Sequence, residues 1–335
     1  MTSAHRLLLQ KSFILLLEGA ILAGPGSAFA AAPQAQKAEN QQIKAAQQGL
    51  SILMNGDPDA ATQVFQKIQA EDSGSPLGYL LEADATWWKI YLTTGNLIDP
   101  DVFDVGSGST SPYDSHLEDL VRVTITKART NLGAKRDIAR NNLYQGMAYA
   151  LRARFAAMRD QNLAAARAAK QMRSLLITAL EEENHLPDAY LGLGIYDYFV
   201  DTLPAIVKLF RWIIGLPGGS RTKGLQEIEY AAKYGKLTSG EAKFYLAKDY
   251  SRESERQYAK SLDLFQELQR EYPHNELWKL QIGSLEIRTG HTEQGEALYH
   301  EVLEETHGKQ SEVEQAFHRA AKKALERRHP GEKFE

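Results

Sequence analysis

Pro217-Gly-Gly-Ser-Arg-Thr-Lys-Gly224 comes nearest to a ligand-binding loop. Glycine backbone, free N–H groups at a helix start and the cations Arg221 and Lys223 are what a phosphate or carboxylate needs. The spacing is not that of a Walker loop, and no strand precedes it. A tight turn, with Ser220 as N-cap and Gly219 supplying unusual dihedrals, accounts for the same residues and is the favoured reading. Just upstream, ten of the fourteen residues from Leu203 to Leu216 are apolar. Lys208 and Arg211 share one helix face there. Phe210 and Trp212 then suit an interfacial helix whose cations sit at lipid head groups, or the wall of an apolar pocket. A short buried helix closing a helical stack is the plainer alternative and is preferred.

Other chemistry finds less support. Asp99, Asp101 and Asp104 fail the calcium-loop spacing, because Phe103 and Asp104 fall where an oxygen ligand and a glycine belong. The nine histidines never form the paired helical zinc pattern. Glu181, Glu182 and Glu183 are consecutive and point apart on a helix. Gly106-Ser-Gly-Ser lies in a polar loop without a nucleophile elbow. No catalytic constellation, cofactor site or metal site is expected. Arg136, Arg140, Arg152, Arg154, Arg159, Arg167, Lys170 and Arg173 make the middle helices basic. They read as a solvated face, or as a docking face for acidic partners or phospholipid.

Composition narrows the classes further. There is no cysteine, so disulfide scaffolds, thiol nucleophiles, Cys-ligated metals and a lipidated N-terminal cysteine are excluded. A net charge of −4 argues against a general nucleic-acid binder. At the N-terminus, His5, Arg6 and Lys11 precede an apolar run from Phe13 to Ala23, and Ala28-Phe29-Ala30 has the small-x-small pattern of a cleavage site. Residues 1–30 therefore read as a secretory signal peptide cut after Ala30, despite Glu18 inside the run. The implied location is the periplasm or the exterior.

The remaining elements are helical. Residues 31–40 read as a flexible leader and 41–330 as one helical domain, interrupted by a Gly/Ser/Asp-rich loop at 95–115. Asp57-Pro58 reads as an N-cap with proline at the first helical position. Val121, Val123 and Ile125 alternate as in a strand, but Leu117, Leu120, Val121, Thr124 and Ala128 fit a helical face over a longer window. Gly235, Pro273 and Gly290 mark breaks between helices.

A spacing repeats. Gly49, Ala61, Phe65 and Ile68 recur in register as Gly283, Gly295, Tyr299 and Val302, while Ser261, Phe265, Leu268 and Pro273 carry the latter part. Small residues let two helices approach, the aromatic fills the groove, and the proline ends the second helix. Tyr144, Gly146 and Tyr149 suggest a further first helix, as do Tyr190, Leu193 and Gly194. The pattern resembles the tetratricopeptide repeat, which implies an all-α, right-handed α-solenoid of helical hairpins, five or six in number. Over residues of about 188–250, Leu191-Gly-Leu-Gly-Ile-Tyr, Leu203-Pro, the apolar stretch and Gly219-Ser-Arg221 with Lys223-Gly-Leu are similar to the central segment of the tetratricopeptide repeat protein 39 and inclusion-body clearance family. That resemblance implies a helical repeat fold and an association with lipid.

The expectation is thus an exported, non-catalytic scaffold or adaptor whose concave face binds a protein partner in the cell envelope. The alternative is a binder of lipid, a membrane surface or a hydrophobic ligand through 203–216.

Overall fold

The computed structural model describes residues 26–99, 110–202, 215, 217–332 and 334, with side chains from residue 40 onward. The proposed signal segment up to residue 25, the centre of the 95–115 loop and residues 203–214, with Lys208, Phe210, Arg211 and Trp212, lie outside them. The chain divides into two compact units, Met1–Gln42 and Ile43–Glu335. In the first, the described backbone is helical from Gly26, so residues 31–40, expected as a flexible leader, are helix. Their Ala- and Gln-rich composition has high intrinsic helix propensity.

The regular structure among the described residues is entirely α-helical. The helices are α1 (Gly26–Met54), α2 (Pro58–Glu71), α3 (Leu77–Thr94), α4 (Asp114–Gly133), α5 (Ile138–Met158), α6 (Asn162–Glu182) and α7 (Ala189–Thr202). They continue as α8 (Arg221–Tyr234), α9 (Ser239–Ser251), α10 (Tyr258–Glu271), α11 (Leu277–Arg288), α12 (Thr292–Thr306) and α13 (Glu312–Arg328). The alternating residues 121–125 lie within α4, where Leu117, Leu120, Val121, Thr124, Ile125 and Ala128 form its buried face. Asp57 accepts a hydrogen bond from the Ala60 amide at 2.9 Å, and Pro58 occupies the first helical position of α2.

Within Ile43–Glu335, consecutive helices pack as hairpins, and α3 with α5, α5 with α7 and α11 with α13 pack across the hairpins. This is an α-solenoid. Its two layers differ in a way that burial makes plain. Helices α3, α5, α7, α9 and α11 are buried on most of their sides. Helices α2, α4, α6, α8, α10 and α12 bury one stripe each, such as Ala61, Phe65 and Ile68 on α2 or Ser261, Phe265 and Leu268 on α10. An amphipathic outer helix covers an apolar inner helix, which is the arrangement a stacked hairpin requires.

The inner face is not an open groove along its whole length. Helix α13 packs against α3, and Tyr113, just before α4, donates a hydrogen bond to Glu312 at 2.6 Å. Trp88 of α3 meets Phe244 of α9 at a ring-centroid distance of 5.0 Å, and Phe244 meets Trp278 of α11 at 6.0 Å. Lys248 of α9 is buried beside them, with Nζ 3.3 Å from Tyr91 Oη and 5.7 Å from the centre of the Phe244 ring. These side chains occupy space that a concave binding surface would leave to a partner.

Candidate functional site

Both helices of the α5–α6 hairpin run for 21 residues, longer than any helix that follows them. The second of the two lines the cavity with Ala165, Ala166 and Ala169, whereas α2 and α10 bury Phe65 and Phe265 on their packed stripes. Short side chains on long helices leave room. The result is a cavity of about 960 Å³, walled by α3, α5, α6, α7 and α9. Leu80 and Leu81 come from α3, Met147 and Leu151 from α5, Met172 and Leu176 from α6, and Leu191, Ile195, Phe199 and Val200 from α7. The volume is at the upper end of the range for sites that enclose a drug-sized ligand, and such sites are mainly apolar with few polar groups. Leu163, at the start of α6, also lines the cavity and is 50% exposed, an apolar residue on the rim.

One polar cluster interrupts these walls. Arg154 of α5 pairs with Glu241 of α9, reaches Asp84 of α3 at 3.4 Å, and donates to Tyr245 Oη at 3.1 Å. Its guanidinium lies over the Trp87 ring, 4.4 Å from the centroid, a stacking geometry that suits a planar cation. Its Nε–H has no acceptor among the described residues. Burial pushes Asp84 from its ordinary 3.8 up to about 8; the Glu241 charge adds to the rise, and Arg154 opposes it. Burial works against the charge on Arg154, but Glu241, Tyr245 and Asp84 outweigh it and hold the guanidinium protonated. Burial also raises Tyr245, so the phenol stays neutral. At neutral pH the cluster thus presents one cation, one carboxylate partner and a protonated Asp84. Asp84 and Glu241 also line a smaller cavity of about 220 Å³.

A second buried carboxylate near the cavity has a different task. Asp188 Oδ1 accepts from the amides of Leu237 and Thr238 at 2.8 and 3.0 Å and from Thr238 Oγ1 at 2.9 Å. It ties the end of the α6–α7 loop to the start of α9, and burial raises its pKa. Among the described residues, no group of three His, Asp or Glu is placed to hold a metal ion, and no helix is long and apolar enough to cross a membrane.

The residues singled out by spacing all serve the crossings and turns between helices. Gly49 of α1 lies against the Phe65 ring of α2. Gly283 of α11 and Gly295 of α12 face each other: a Cβ on Gly283 would come 2.8 Å from the Tyr299 ring, and one on Gly295 would come 2.5 Å from the Gly283 carbonyl oxygen. Gly194 of α7 meets Gly224 of α8 in the same manner. Ser261 Oγ donates to the Ala247 carbonyl at 2.7 Å across the α9–α10 hairpin, Leu268 is buried, and Pro273 lies in the turn before α11. None of them lines the cavity.

The cations of the glycine-rich turn are paired within the chain. The Lys223 ammonium is 2.7 Å from Asp197 and 2.9 Å from Glu227. Arg221 Nε is 3.2 Å from Glu255, and the Arg221 amide donates to Asp201 at 2.9 Å. Both cations of the turn are thus engaged by the chain's own carboxylates. Ser220 caps α8 by accepting from the Lys223 amide. Gly219 is needed for close approach rather than for unusual dihedrals: its φ is not in the left-handed region, but a Cβ there would collide with the Asp197 carbonyl.

Sequence alone places Arg154 on a solvated basic face and gives no sign of Asp84, Glu241 and Tyr245. Arg159 is likewise internal, 2.6 Å from Asp114. The one available signal is the set of small and apolar neighbours around Arg154, namely Leu151, Ala153, Phe155 and Ala156, on a helix buried on most of its sides.

No protein-family model matches the sequence, and no curated protein matches it. Among solved structures, the chain is similar to a thermophilic TPR protein of Thermus thermophilus, with 15% identity and a TM-score of 0.41, over 73% of this chain and 99% of that one.

Proposed function

We propose that this chain is a non-catalytic helical-repeat binding protein of a cell envelope, and that its inner cavity encloses an apolar guest. The cavity of about 960 Å³, lined by leucine, methionine, alanine and phenylalanine from five helices, carries this reading. Burying an apolar guest there is worth about 25 cal/mol for each Å² taken from water. The similarity of residues 188–250 to a family linked to lipid points the same way, and so does the exposed Leu163 at the rim. The described walls of the cavity come from α3, α5, α6, α7 and α9, while residues 203–214, weighed in the sequence as a lipid or ligand contact, lie outside the described residues. The uncharged dye Nile red tests it. Saturable binding is expected, and Ala169→Trp, which fills the cavity, should weaken it about tenfold or more while leaving the helical circular dichroism intact. Equal binding by the variant would remove the reading.

A surface feature favours a second reading, an adaptor for a protein partner. Tyr190, Tyr230 and Tyr234 form an aromatic row, with ring centroids 4.9 Å apart at each step. Tyr230 and Tyr234 are 39% and 49% exposed, and exposed tyrosines are enriched where proteins bind one another. A pulldown from an envelope fraction should then lose a copurifying protein in the Tyr230→Ser, Tyr234→Ser variant. An unchanged set of partners counts against the adaptor.

A further inference from the structure

We infer that the guest of this cavity is an uncharged amphiphile, an apolar body ending in a hydroxyl or carbonyl group, and that the Arg154 cluster reads that end. The inference rests on the reading of the cavity as an apolar-guest site and specifies the guest's chemistry. An arginine in an apolar pocket would ordinarily suggest a carboxylate or phosphate ligand. Here the guanidinium already has the Glu241 carboxylate and the Asp84 carboxyl on its terminal nitrogens, and Tyr245 shares Nη1. With Asp84 protonated, the Glu241 carboxylate already balances the Arg154 cation, so an anionic guest would enter a low-dielectric cluster that has no spare positive charge to offset its own. A neutral guest meets no such penalty.

The cluster also has a complementary group for a neutral end. The Asp84 carboxyl lines the cavity and, held in its protonated form at neutral pH by burial, offers a group that can donate or accept. The guanidinium also lies over the Trp87 ring, 4.4 Å from its centroid, a contact it would lose in swinging out to follow a charged head group. Apart from Asp160, Asn162, Asp188 and Thr238, the rest of the described lining is mainly apolar, which favours an apolar remainder of the guest.

The probes are 1-dodecanol, dodecanoate and dodecylammonium, titrated at pH 7 and followed by quenching of tryptophan fluorescence, with Trp87→Phe identifying the cavity signal. Dodecanol is expected to bind about tenfold or more tightly than dodecanoate. In the Asp84→Asn, Glu241→Gln variant, Arg154 loses its counter-charge, Glu241, and cannot regain one from position 84, so the order should reverse, with dodecanoate gaining about tenfold. A gain of affinity cannot arise from misfolding. Binding of dodecanoate or dodecylammonium by the wild-type chain as tightly as dodecanol overturns the inference while leaving the apolar-guest reading in place. Binding of none of the three overturns both.

Discussion

Gly194→Leu is expected to lower the stability of the solenoid by about 3 kcal/mol or more, as overpacking against backbone does when nothing can yield. A Cβ on Gly194 would lie 2.6 Å from the Gly224 carbonyl oxygen and 2.9 Å from the Ile228 amide nitrogen. Both atoms belong to the α8 backbone. The reverse holds too, since a Cβ on Gly224 would lie 2.6 Å from the Tyr198 amide. The only relief is to part α7 from α8, which exposes Ile228, Ala231 and Tyr198. Helix propensity alone predicts the opposite sign, because removing a helical glycine gains up to about 1 kcal/mol. Gly133→Ala is the matching control, since a Cβ there meets nothing within 4 Å. Urea unfolding followed by circular dichroism measures both variants. A loss below about 1 kcal/mol for Gly194→Leu would refute close packing at this crossing.

Arg154→Met is expected to cost about 3–5 kcal/mol, the range found when one member of a buried ionic cluster is removed and its partners are left unpaired. The cost should depend on pH, and the sign follows from Asp84. Its folded pKa of about 8 lies above its ordinary 3.8, so the folded chain keeps this proton after the unfolded chain has lost it. The contribution to stability is complete below a pH of about 4 and declines as pH rises toward about 8. Removing the guanidinium takes away the group that opposes the rise, so the decline continues to higher pH. The deficit of Arg154→Met relative to the wild-type chain should therefore be larger at pH 9 than at pH 6. Denaturant unfolding at the two values checks this, and a deficit independent of pH would show that Asp84 does not feel Arg154. Adding Glu241→Gln to Arg154→Met should return part of the loss at both values, because it removes the carboxylate left without a partner.

The features legible in the sequence and those hidden from it differ in how they are made. The register of Gly49, Ala61 and Phe65 against Gly283, Gly295 and Tyr299 is local: each set lies within one hairpin, and contact follows from helix geometry once the turn closes. Ser220 as an N-cap is local in the same sense. The 203–216 run stands out by its density of apolar residues. The cavity has no such density, because it is the space left by alanines at 165, 166 and 169, which in sequence look like any helix-forming residues. Lys223 and Arg221 look available in sequence because their partners Asp197 and Glu255 stand 26 and 34 positions away.

By itself, the sequence determined the helices, their pairing into hairpins, the small residues at their crossings and the absence of any cysteine chemistry. Periodicity, caps and breaks act over a few residues, so they can be read along the chain. Tertiary structure alone decided that the inner face is partly filled by Trp88, Phe244 and Trp278, and that a cavity remains beside α6. It also decided that Arg154 is buried rather than solvated, since its partners Asp84 and Glu241 are 70 and 87 residues distant in sequence. The charge state of that cluster depends on burial and on neighbours brought in by three separate helices, and no local pattern records either.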